Sequence, residues 1–214
     1  MKFKWYYTAS WRITTDTGVS IITDPYNHKY IPEGPPPPFG TDHPAVGEQA
    51  DIVTITHGHF DHSYICGVKG VPRIYTGGAP LEYKGIRLSS VEGWHDNYGD
   101  CGRGVVSCVG IEADGLRIRH MGDSGQDRLT DEQLQKFGKV DILFTCWGDW
   151  TPALLDQLKP KVVFPMHHAV VDMYMRSLKG FKQLDVSEVE FSADTLPAEM
   201  KCLMLKQLRE PTGA

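Results

Sequence analysis

Residues 51–62 read Asp51-Ile52-Val53-Thr54-Ile55-Thr56-His57-Gly58-His59-Phe60-Asp61-His62. The β-branched run before His57 suits a short buried strand, and metal-ligand chemistry is packed at its end. Two histidines two apart on extended backbone point to the same side, so the imidazoles of His57 and His59 can reach one ion. Gly58 between them adds no bulk and permits an unusual turn. Asp61 and His62 follow where the chain should turn, and can face a second ion beside the first. Imidazole and carboxylate donors suit zinc, and also iron or manganese.

One cluster fills only part of two coordination shells, so further ligands must come from elsewhere. Downstream, His95 follows the run ending at Val91, Asp123 follows Leu116 to Met121, and His167 follows Lys161 to Phe164. Each lies just beyond a predicted strand, where a rigid scaffold presents functional side chains.

Working outward, Phe3, Trp5 and Tyr7 share one parity and Val19 to Thr23 is β-rich, which predicts two or three meandering strands. Asp24-Pro25 then leads to Pro35–Pro38, a stiff excursion that is either a surface loop or a wall of a cleft. His28 and His43 flank it. Further strands are expected at Arg73 to Tyr75, Ile86 to Val91 and Val105 to Glu112, with an Asp114-Gly115 hairpin before Leu116 to Met121. Thr76-Gly77-Gly78-Ala79-Pro80 lacks a P-loop lysine and reads as a turn. Thr130-Asp131-Glu132-Gln133 has the form of a capping box opening a helix. Strand (Val140 to Thr145), helix (Thr151 to Leu158, Pro152 in its first turn) and strand (Lys161 to Pro165) then alternate. Val186 to Phe191 and Met200 to Leu205 read as closing strands, or a strand and a helix. No repeat or linker divides the chain, so residues 1–214 are read as one domain.

Composition bounds the function. The chain has 214 residues, 41% hydrophobic and 23% charged, ordinary values for a globular protein. A net charge of -5 argues against electrostatic binding of nucleic acid. The five cysteines, Cys66, Cys101, Cys108, Cys146 and Cys202, are odd in number and form no C-x-x-C pair. They read as small buried hydrophobes in a reducing compartment. With no signal-peptide core and no stretch of membrane-spanning length, a cytoplasmic protein without membrane insertion is expected. Self-association stays open.

Taken in order, Asp24-Pro25, the H-x-H-x-D-H cluster, His95, Gly122-Asp123 and Pro165-Met166-His167 resemble the metallo-β-lactamase superfamily, nearest its branch of ascorbate-6-phosphate-lactonase-like small metal-dependent hydrolases. The resemblance implies an α+β fold, a four-layer αββα sandwich with metals at one edge. By that pattern His57, His59 and His95 hold one divalent ion, Asp61, His62 and His167 hold the other, and Asp123 bridges them. Two such ions, zinc first and manganese or iron next, lower the pKa of a shared water toward neutrality, and the resulting hydroxide attacks a carbonyl or phosphorus. Asp123 and Asp61 are then the catalytic carboxylates, Asp61 orienting the nucleophile or relaying a proton.

The sequence departs from the branch at two places. His168 stands where the branch usually carries a tyrosine; it is the alternative to His167 as the ligand, or acts around the metals or at substrate. Trp147-Gly148-Asp149-Trp150 replaces a glycine-rich segment; Trp147 and Asp149 either line a substrate cleft or accompany packing of the following helix. His120 is either a satisfied core histidine or a hydrogen-bond partner near Asp123. The expected activity is hydrolysis of a small ester-like molecule, a lactone or phosphodiester. The alternatives are a nuclease of the same fold, disfavoured by the acidic balance, and a non-catalytic metal-binding scaffold. A flavin-coupled di-iron oxidoreductase would carry a glutamate in place of His59.

Overall fold

The computed structural model describes residues 1–27, 45–95, 102–167 and 178–206. The proline loop, His28, His43, Cys101 and His168 lie outside them. Two sheets pack face to face. The first joins β1 (Lys2–Tyr7), β2 (Ser10–Thr14), β3 (Ser20–Thr23), β4 (Ile52–Thr54), β5 (Arg73–Tyr75) and, at its far edge, β13 (Glu188–Glu190), in the order β13-β1-β2-β3-β4-β5. The second contains β6 (Leu81–Tyr83), β7 (Ile86–Trp94), β8 (Val105–Ala113), β9 (Leu116–His120), β10 (Ile142–Cys146), β11 (Val162–Met166), β12 (Phe181–Gln183) and β14 (Lys201–Met204), in the order β12-β14-β11-β10-β9-β8-β7-β6.

The core between the sheets is aromatic. Phe3, Trp5 and Trp11 from the first sheet meet Phe144 and Phe164 from the second, with Trp11 4.8 Å from each phenylalanine ring. Alternation along each strand sends the other side chains outward. On the second sheet Val91, Cys108, Leu143 and Val163 face a separate apolar layer formed by α1 (Asp131–Phe137) and α2 (Thr151–Leu158). The predicted capping box is present: Thr130 accepts from the Gln133 backbone, and the Gln133 side chain returns to the Thr130 N–H at 2.8 Å. On the first sheet Tyr6, Ile22 and Val53 are covered by the segment around Val46 and Ala50 and by a single 3-10 turn, Ile65–Gly67. The fold is thus an α+β sandwich of two mixed sheets, whose cover on this side, among the described residues, is loop and 3-10 turn.

Tyr7 breaks its expected parity. The β1–β2 register shifts between Trp5 and Tyr7, and such a bulge moves the following side chain to the other face. Tyr7 therefore joins Tyr6 and Tyr26 outside, not Trp5 inside. The expected strand from Asp51 is shorter than read, Ile52–Thr54. The C-terminal region forms strands in both sheets, β13 pairing with β1 and β14 with β11. Among the described residues no helix is long and apolar enough to cross a membrane.

Candidate metal centre

The topology gathers one end of both sheets. β3, β4 and β5 run parallel, as do β9, β10 and β11, so the segments leaving β4, β9 and β11 emerge together. They carry His57–His62, Asp123 and His167 respectively. His95 arrives from the end of β7, its N–H on the Gly104 carbonyl at 3.1 Å. The seven residues expected as ligands converge.

Asp123 stands at the centre. Its Oδ2 lies 3.6 Å from His95 Nε2 and 3.9 Å from His57 Nε2, while His57 Nε2 and His59 Nδ1 are 3.0 Å apart. Its Oδ1 faces the other way, 3.0 Å from His167 Nε2 and 3.2 Å from His62 Nε2. Asp61 Oδ2 lies 3.6 Å from His62 Nε2 and 3.9 Å from His167 Nε2. Two sets of donor atoms, His57–His59–His95–Asp123 and Asp61–His62–His167, each lie within 4.8 Å of one another. The Nε2 atoms of His62 and His167 approach to 2.9 Å, a separation that needs a proton or a metal cation to hold two nitrogen lone pairs together. All-imidazole and carboxylate donors at this spacing fit divalent transition metals.

A buried carboxylate that the motif reading had only quoted orients the set. Asp24, fully buried, takes the Thr56 N–H at 2.8 Å and the Thr56 hydroxyl at 2.6 Å, and pairs with His62 Nδ1 at 2.7 Å. Because the Thr56 hydroxyl donates to Asp24, it must accept from His57 Nδ1, 3.0 Å away. Asp24 therefore fixes His62 directly and His57 through Thr56, turning the Nε2 of each toward Asp123. Such outer contacts set which ring nitrogen is free to bind. Burial opposes ionisation of Asp24, yet the His62 charge and hydrogen bond, His120 and Thr56 outweigh it and hold the carboxyl below its usual range. Burial likewise opposes charge on His62, but Asp24 and Asp123 raise it well above the ordinary value. Burial, with the His62 charge beside it, pulls His57 down to about 3. Asp123 is held well below the carboxylate range, because His167 and His62 overcome its burial.

Backbone strain marks the same places. Asp24 and His167 both have positive φ, +38° and +52°, unusual for residues with a Cβ and concentrated where function fixes the chain. Gly122 also has positive φ, and a Cβ there would stand 2.5 Å from Thr56 Oγ1. Only glycine lets the turn before Asp123 pass this close to β4's exit.

His120 combines the two readings left open for it. It is a core histidine with its Nε2–H on the Ala9 carbonyl at 2.9 Å and its Nδ1 accepting the Gly122 N–H at 3.2 Å. Burial lowers its pKa, and it pins the turn that delivers Asp123. Trp147 packs into the outer layer with α2, and Asp149 is exposed. Trp150 lies over Gly148, where any Cβ would collide with its ring. Trp150 packs against the core between the two sheets, on the opposite face from Trp147.

Two mixed sheets with a cluster of histidine and aspartate side chains at one shared edge are the arrangement of a metallo-β-lactamase fold. The sequence profile of the beta-lactamase superfamily domain matches residues 2–167, and the chain belongs to the metallo-β-lactamase superfamily. A crystal structure of a superfamily protein from Thermotoga maritima aligns with TM-score 0.73 at 22% identity, covering 97% of this chain and 99% of that one. A UPF0173 metal-dependent hydrolase of Thermococcus onnurineus is 27% identical over 192 residues, 71% of this chain and 85% of the relative. Another from Polaromonas is 25% identical over 230 residues, 81% and 82% of the two chains.

Proposed function

We propose that this metal-dependent hydrolase works with two divalent ions, zinc foremost, and cleaves a small ester-like molecule, a lactone or phosphodiester. The carrying observation is the position of Asp123, whose two oxygens face two separate histidine sets. His57, His59 and His95 would hold one ion, and Asp61, His62 and His167 the other, with Asp123 shared. When bound, such ions supply Lewis acidity and lower the pKa of a coordinated water toward neutrality. The chain supplies the rest. Asp24 and Thr56 keep the histidines in one tautomer, and Gly122 brings Asp123 close. Asp61, partly open to solvent, would orient water or accept its proton. Free thiols at Cys66, Cys108, Cys146 and Cys202 agree with a reducing, cytoplasmic setting.

The test is elemental analysis of protein purified without added metal or chelator, paired with turnover of a generic phosphodiester and a lactone. About two metal equivalents per chain are expected, with metal and turnover both lost in His57→Ala/Asp123→Ala. A folded chain that takes up no metal when offered it would overturn the reading. An Asp61→Asn protein that keeps its metals and full activity would remove Asp61 from catalysis.

A further inference from the structure

The ligand-bearing ends of β9 and β11 flank β10, and β10 itself ends on a thiol. Cys146 pairs in register with Met166, the residue before His167, while the Met121 N–H, two residues before Asp123, bonds the Phe144 carbonyl at 2.9 Å. The strand order β11-β10-β9 thus places a sulfur between the two ligands. Cys146 Sγ lies 3.2 Å from Asp123 Oδ1, the same oxygen that His62 Nε2 and His167 Nε2 approach at 3.2 and 3.0 Å. Asp123, Cys146 and His167 present donor atoms all within 4.8 Å of one another. A sulfur about 2.3 Å and an oxygen about 2.0 Å from one ion stand about 3.0–3.5 Å apart for angles between 90° and tetrahedral; the 3.2 Å separation, spanned by an S–H···O contact in the metal-free chain, is compatible with both atoms reaching one ion.

We propose that Cys146 is a sulfur ligand of the ion held by Asp61, His62 and His167, and that it biases this half of the centre toward zinc over manganese. The inference rests on the two-ion reading and adds a donor that reading does not use. Sγ has oxygen neighbours at nearly equal distance, Asp123 Oδ1 and the Gly122 carbonyl at 3.1 Å, and a thiol has one proton to offer them. On metal uptake the S–H bond breaks, a sulfur–metal bond forms and the proton leaves to solvent, one per chain. The other described thiols are elsewhere: Cys66 is exposed, and Cys108 and Cys202 belong to the outer apolar layer. Thiolate is a soft ligand that favours zinc, whereas oxygen donors suit manganese.

The experiment strips the full-length protein with chelator and titrates it anaerobically with cobalt(II), reading bound cobalt per chain and the near-ultraviolet sulfur-to-cobalt charge-transfer band. The wild type should bind two equivalents and show the band; Cys146→Ser should bind cobalt and lose it, with a narrower preference for zinc over manganese. Two equivalents bound by the wild type without the band would overturn the inference and leave the two-ion reading standing. A band that persists in Cys146→Ser would overturn it too, and no cobalt uptake would overturn both readings. If the variant does not fold, X-ray absorption of the wild-type zinc form decides: a sulfur shell at about 2.3 Å supports the inference, and its absence at full occupancy refutes it.

Discussion

Replacing Asp24 by asparagine leaves the shape of the site and removes its charge. In the native chain Asp24 takes two donors from Thr56, at 2.8 and 2.6 Å, and pairs with His62 Nδ1 at 2.7 Å, with no solvent contact. An amide has one acceptor oxygen, so whichever way it is turned, its NH2 meets at least one of those donors. Hydrogen bonds to charged groups contribute about 1.5–3 kcal/mol each, and stripping one partner from a buried ion pair costs about 3–5 kcal/mol. The metal-free variant should therefore be less stable by about 3–5 kcal/mol. Because His62 and His57 lose the contacts that fix their tautomers, metal affinity should also fall by about 10–100-fold. Denaturant unfolding of the chelated protein measures the first quantity, and competition with a chromophoric chelator the second. Thr56→Val is the control: it breaks the link to His57 but keeps the Asp24–His62 pair, so it should weaken the ion of His57 and spare that of His62. An Asp24→Asn protein that unfolds like the wild type and holds both metals as tightly would falsify the assignment of Asp24 as the organiser of the site.

Gly122→Ala should destabilise the fold by roughly 1–3 kcal/mol and weaken metal binding, because the new Cβ meets Thr56 at a positive φ; thermal melts with and without metal would read both effects. Thr130→Ala should cost about 1 kcal/mol through loss of the cap on α1 and leave metal stoichiometry unchanged, so an altered stoichiometry would contradict the separation of α1 from the site. The chelated protein should lose stability as pH falls from about 7 to about 5. His57, His95 and His120 are lowered by burial and His62 is raised. The three lowered groups contribute stability above their unfolded pKa that is lost as pH falls toward their folded values. His62 works in the opposite sense, its contribution being complete below its unfolded pKa and lost as pH rises. An unfolding midpoint that is flat or rises across this acid range would contradict the expected balance of these four groups.

The strands that the sequence reveals are those whose own pattern pays for their burial. Val105–Ala113 and Leu116–His120 are largely buried apolar runs joined by an Asp114-Gly115 turn, and Val162–Met166 is buried throughout. Leu81–Tyr83 and Phe181–Gln183 escaped the reading for a common reason: they are the two edges of the eight-stranded sheet, each three residues long with no fully buried position. Such segments are extended because a neighbour templates them, and a short window carries no trace of the neighbour. The Trp5–Tyr7 bulge escaped similarly, since period-2 reasoning assumes an unbroken register.

The site divides along the same line. The residues proposed as its ligands were legible because each sits at the end of a readable strand, in a short motif whose residue types have few other uses. What holds those ligands was not. Asp24 reaches Thr56 across 32 residues and His62 across 38, and Cys146 reaches Asp123 only because β10 lies between β9 and β11. In a linear reading an aspartate before a proline resembles any turn, and a cysteine closing an apolar strand resembles any small core residue. Their meaning comes from parallel pairing, which aligns strand ends from distant parts of the chain and brings their side chains into one plane. The motif therefore identifies the class of chemistry, while the buried carboxylate orients the histidines and the thiol is the proposed source of metal preference. For that reason, substitutions at Asp24 and Cys146 test the structural argument more severely than substitutions of the motif histidines, whose loss any metal-binding reading would predict.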